Sequence, residues 1–88
     1  MASRTVEMRN RRGLHARASA KFVTLAASLP AQVEVEKDGS KVVGTSIMGL
    51  MMLGAGVGSE ITIEADGWDA KEALEAVAGL VEAGFHED

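Results

Sequence analysis

The chain contains no cysteine, which excludes a disulfide framework and a thiolate zinc site and fits a reducing compartment. Tyrosine is also absent, and aromatic residues are limited to one Trp and two Phe. The core must therefore be aliphatic, and the stacking platforms that single-stranded nucleic acids need are missing. Pro30 is the single proline, so long elements can run uninterrupted on either side of it. No apolar run approaches the ~20 residues of a membrane span. The opening Met1-Ala2-Ser3-Arg4-Thr5 lacks the apolar region of a signal peptide. These absences lead to the expectation of a cytoplasmic protein with no membrane insertion.

What remains suits a folded chain: 88 residues, 47% hydrophobic and 25% charged, enough for one domain over 1–88 and too few for two. The net charge of −4 is unevenly spread. Up to Thr45 there are eight Lys and Arg against four acids, and from Ser46 onward one Lys against nine acids.

Hydropathy patterning gives the elements. Residues 5–9 alternate, with Val6 and Met8 on one face, as a half-buried strand does. From Ala16 the apolar positions Ala18, Phe22, Leu25, Ala26 and Leu29 recur at helical spacing, so a helix is predicted over 16–28. Residues 32–37 alternate again, and Asp38-Gly39 is a two-residue hairpin signal leading into a strand over 40–43. Ser46 is placed to cap a short helix that Gly54 ends. A fourth strand covers 60–65. Asp69 is expected to cap the last helix through its side chain, with Glu72 at the capping-box position, and Ala70, Ala73, Leu74, Val77, Leu80 and Val81 as the buried stripe. Gly84 ends that helix, and 85–88 is expected to be a fraying tail. The order β-α-β-β-α-β-α with one-sided strands implies an α/β (α+β) two-layer open-faced sandwich. Its four-stranded antiparallel sheet would be covered on one face by three helices.

The chemistry concentrates around His15. It stands at or next to the start of the first helix, where backbone N–H groups lack intrahelical partners and the helix dipole is positive. Arg9, Arg11, Arg12, Arg17 and Lys21 surround it in sequence. That basic setting disfavours a further positive charge on the ring and welcomes an anion. A phosphoryl group on such a histidine could accept hydrogen bonds from the helix-start amides and a charge-assisted one from Arg17. A metal site has no supporting His or Cys spacing, the other histidine being His86 near the end of the chain. Ser-His hydrolysis lacks a nameable ordering carboxylate. Gly54, Gly56 and Gly58 mimic part of a nucleotide loop, but Ser59 stands at the final glycine position and the loop leads from helix to strand, the wrong order.

The run Gly13-Leu14-His15-Ala16-Arg17, together with Gly44-Thr45-Ser46-Ile47-Met48-Gly49-Leu50, the length and the element order, resembles the HPr family. These are histidine-containing phosphocarriers of the bacterial phosphoenolpyruvate-dependent phosphotransferase system. The resemblance implies a stoichiometric carrier, not an enzyme, with no cofactor and no metal. His15 would take a phosphoryl group on Nδ1 from enzyme I and pass it to IIA-type proteins. Arg17 would steady the phosphate, and the amides of Ala16 and Arg17 would help hold it. Ser46 would be open to regulatory phosphorylation by HPr kinase/phosphorylase, and Ile47, Met48 and Met51 would form a docking patch on a monomer. The family usually has proline after the arginine; Ala18 stands here, which implies a less rigid helix start.

Two other classes compete. A regulatory adaptor of the nitrogen-related phosphotransferase branch would use the same histidine without moving sugar. A small nucleic-acid-binding domain is disfavoured by net acidity and the scarcity of aromatics, so no nucleic acid is expected as partner.

Overall fold

The structure, a computed structural model, describes residues 1–87. Its elements are β1 (Ala2–Glu7), α1 (Ala16–Ala27), β2 (Gln32–Lys37), β3 (Ser40–Val43), α2 (Ile47–Met52), β4 (Glu60–Asp66) and α3 (Ala70–Glu82), followed by a 3-10 turn, Gly84–His86. The strands form one antiparallel sheet, as the one-sided strand pattern predicts, and pair in the order β1-β4-β2-β3. Alternation explains the two faces. Val6, Val33, Val35, Ile61, Ile63 and Ala65 point into the core. The opposite face carries polar pairs, including Thr5 and Thr62 hydroxyls 3.0 Å apart and a Lys41–Glu64 ion pair at 3.0 Å.

The β2–β3 hairpin forms where Asp38-Gly39 places it. Both turn residues have positive φ, 51° and 84°, the combination that matches the right-handed twist of the flanking strands. α1 ends within one residue of expectation, with Ser28 as its C-cap. α3 lies over β1 and β4, and α1 packs beside α2 and α3. Phe22 from α1 and Val77 and Val81 from α3 are fully buried between the helices and the sheet.

Three expectations are corrected. β1 runs from Ala2 to Glu7, not over 5–9. Its early polar residues carry no alternation, and they become strand because each pairs with β4, from Ala2 opposite Ala65 to Glu7 opposite Glu60. Asp69 occupies the N-cap position of α3 but makes no side-chain cap bond. Its backbone is left-handed, φ 55° and ψ 38°, whereas side-chain capping needs an extended N-cap that aims the carboxylate at the first-turn amides.

The third correction is the largest. Of the tail expected over 85–88, Asp88 lies outside the described residues, and residues 85–87 do not fray. Phe85 is fully buried, and Gly84, Phe85 and His86 all adopt positive φ, 64°, 56° and 58°. Left-handed backbone at a bulky residue is uncommon and costs about 1–3 kcal/mol; it turns the phenyl ring inward, and the burial offsets the cost. Lys21 Nζ donates to the Phe85 carbonyl oxygen at 2.7 Å, tying the turn to α1. Phe85→Ala should destabilise the chain by about 3–5 kcal/mol, as core phenylalanines do. Urea unfolding checks this, since a frayed tail would leave the midpoint unchanged.

Candidate functional site

The chain reaches His15 through a loop held from several sides. Met8 exchanges backbone hydrogen bonds with the 58–59 turn, its N–H donating to Ser59 O and its carbonyl accepting from Gly58 N–H, both at 2.8 Å. Gly13 has φ 65°, and a Cβ there would collide with the Ala55 carbonyl, so only glycine lets the loop close. The next residue, Leu14, donates its N–H to Ala55 O at 3.0 Å. Ser19 Oγ donates to the Leu14 carbonyl at 3.1 Å, fastening the first turn of α1 to the loop before it.

His15 is the N-cap of α1, with φ −73° and ψ 178°, the extended conformation that lets a side chain turn back onto the first helical turn. Its Nδ1 accepts from the Arg17 backbone N–H at 3.2 Å. Nε2 lies 2.8 Å from Glu87 Oε1. An acceptor at Nδ1 and a carboxylate at Nε2 together assign the ring proton to Nε2. The ring is only 16% exposed, and the Ala16 and Arg17 side chains beside it are exposed. Arg17 makes no ion pair among the described residues.

Glu87 alters the charge environment expected from the basic neighbours. Asn10, 1% exposed, donates through Nδ2 both to Gly13 O and to Glu87 Oε1, each at 2.8 Å. The bonds from Asn10 and His15, with Lys21 nearby, hold the Glu87 carboxyl below its ordinary value against a smaller opposing effect of desolvation. The ordering carboxylate that could not be named in the sequence is therefore present.

Ser46 is the N-cap of α2, with Oγ accepting from Gly49 N–H at 3.0 Å. Within and beside α2, Leu50 and Leu53 are buried while Ile47, Met48 and Met51 are exposed. Met52 and Val57 are exposed as well. Since α2 packs on α1, the patch belongs to the helix layer that carries His15.

The chain matches the family model for the PTS HPr component phosphorylation site over residues 2–83. The chain belongs to the HPr family. It is 46% identical to phosphocarrier protein HPr of Cupriavidus necator over 87 residues, covering 99% of this chain and 98% of that one. The HPr-like protein Crh of Bacillus subtilis is 46% identical over 82 residues, covering 93% and 96%. The crystal structure of HPr-C-His from Thermoanaerobacter tengcongensis superposes with a TM-score of 0.94 at 43% identity, covering 100% of this chain and 99% of that one. Family membership makes the chain a phosphocarrier-type protein of the bacterial phosphotransferase system, and no helix among the described residues is long and apolar enough to cross a membrane.

Sequence reasoning missed Asn10 and Glu87. A lone asparagine among arginines gives no sign of burial, and Glu87 sits in a polar stretch. One signal was available: Phe85, one of only two phenylalanines, follows a helix-ending glycine, where an apolar residue commonly packs back on the helix.

Glu87 also makes a prediction about pH. Because its folded-state pKa is lowered, its contribution to stability is complete above its unfolded value and is lost as pH falls through the folded one. Melting temperatures of the wild type and Glu87→Ala should therefore differ at neutral pH and converge below the carboxylate range. A constant gap across that range would contradict the assignment.

Proposed function

We propose that the chain carries a phosphoryl group on His15 Nδ1 between two protein partners. The observation that carries this reading is the ring's placement as the α1 N-cap in an HPr-family chain, with Nδ1 directed at the Arg17 N–H. The Nδ1 lone pair attacks phosphorus, a P–N bond forms, and the donor's bond to phosphorus breaks, taking its electron pair to the donor. The Arg17 N–H that donates to Nδ1 in the free protein can then donate to a phosphate oxygen, joined by the Ala16 amide and the Arg17 guanidinium. Enzyme I, charged by phosphoenolpyruvate, is the donor in this reading, and IIA-type proteins are the acceptors. They dock on the apolar patch of Ile47, Met48 and Met51, where flexible methionines suit several partners.

The protein acts as a stoichiometric cytoplasmic carrier, with residues 1–88 as its single domain. Its working form is a monomer, a reading to be weighed by sedimentation because a solved form of Crh is a dimer. Ser46 serves as a regulatory phosphorylation site. Its hydroxyl already accepts at a helix start, and a phosphate there would add negative charge beside the docking patch.

A second reading is a regulatory adaptor in the nitrogen-related branch that moves no sugar; phosphocarrier protein NPr of Shewanella violacea, 40% identical over 84 residues, is the relative that keeps it in view. Transfer from the labelled chain to sugar-specific IIA proteins separates the two, since the adaptor reading expects none.

Incubation with enzyme I and labelled phosphoenolpyruvate should give an acid-labile phosphate that His15→Ala abolishes; label retained in that variant would end the proposal. Arg17→Ala should slow acceptance by roughly tenfold or more, the scale of one charge-assisted hydrogen bond, as measured by rapid quench. Ser46→Ala should cost about 1 kcal/mol of stability through the lost cap, as measured by urea unfolding, without preventing label at His15.

A further inference from the structure

The histidine at the head of α1 is held on its far side by residues from both ends of the chain. Asn10 lies buried in the loop after β1, with one amide hydrogen on Gly13 O and the other on Glu87 Oε1. The same Glu87 oxygen faces His15 Nε2 at 2.8 Å. Glu87 is not free to wander. Its own N–H donates to Gly84 O at 3.1 Å, and Phe85, two residues before it, is anchored by its buried ring and by Lys21 on its carbonyl. A carboxylate on a long side chain is thus held to one position by packing, two donors and a backbone turn.

We infer that Glu87 is a positioning residue for phosphoryl transfer at His15, locking the ring with its proton on Nε2 and stabilising the cationic ring that forms when Nδ1 is phosphorylated. This deepens the carrier reading above and rests on it. When the neutral ring attacks through Nδ1, the Nε2 proton stays on the ring, so the ring becomes positively charged as the P–N bond forms. A carboxylate at Nε2 faces that charge as it develops, as the buried aspartate does behind the histidine of a serine hydrolase. The reverse transfer benefits as well. A ring that keeps its Nε2 proton leaves phosphorus as a neutral imidazole, a better leaving group than the anion that would depart if the proton were lost. Asn10 serves the arrangement indirectly. Its donation to Glu87 keeps the oxygen in place, and its donation to Gly13 O ties that oxygen to the loop that presents the histidine.

The test uses the full chain, ring-nitrogen NMR and phosphoramidate as a small phosphoryl donor that needs no docking. Nδ1 attacks its phosphorus, and ammonia leaves with the electrons of the broken P–N bond. Glu87→Gln keeps the shape and removes the charge, while Glu87→Ala removes both; circular dichroism confirms that each folds. In the wild type, the Nε2–H proton should be observable, slowed in exchange and shifted downfield by the carboxylate. In both variants that signature should be lost or weakened, and Nδ1 labelling should slow by about tenfold, the lower end for a hydrogen bond to a charged group. Labelling of both variants at the wild-type rate overturns the inference, and so does a slower rate with the Nε2–H signal unchanged, because the effect would then bypass the ring. The carrier reading fails separately, if the wild-type chain takes no phosphate from enzyme I.

Discussion

The burial of Phe85 is the constraint on which the site depends. A phenyl ring drawn into the core after the last helix forces the backbone through three successive left-handed residues, a conformation with no local advantage. The gain is apolar area removed from water, supported by the Lys21 bond to the Phe85 carbonyl. As a consequence Glu87, two residues further on, arrives under the imidazole of a residue 72 positions earlier in the chain. The bonds from Asn10 and His15 then hold the carboxylate where the buried ring has delivered it.

The histidine itself is governed by a different balance. Its own backbone is extended and unstrained, while the loop leading to it relies on Gly13, whose left-handed φ and contact with Ala55 exclude a side chain. The tight turn is thus made at a glycine, which adopts left-handed φ without strain, and not at the histidine. Ala18, standing where the family usually has proline, is fully buried and continues a regular α1. Loop anchoring by Asn10, Ala55 and Ser19 supplies restraint of the helix start from outside the helix.

Charge is redistributed in the same way. The arginines before and after His15 describe a basic locality along the chain, but in space the ring meets a carboxylate on one side and a backbone amide on the other. The two edges of the imidazole are thus given different partners. One edge is a donor held by an acid, the other an acceptor at a helix start. That asymmetry distinguishes a ring with one available nucleophilic nitrogen from a ring that is merely surrounded by positive charge.

Short-range physics made much of this protein legible in its sequence. Alternation set β2 and β4, the paired positive-φ preference of Asp38-Gly39 set the hairpin, helical spacing set α1, and the capping roles of His15 and Ser46 followed from their places just before apolar helices. Each of these depends on neighbours within a few residues, so sequence carries it directly. Three features did not follow. The early residues of β1 became strand because β4 pairs with them, Asp69 lost its capping role to a left-handed backbone, and residues 85–87 became part of the site. All three are decided by packing between segments far apart in the chain, which local periodicity does not encode. The sequence by itself determined that a histidine begins a helix among bases and exposed methionines. Only the tertiary structure decided that a carboxylate from the far end holds that ring, because the bond joins residues that only the folded core brings together.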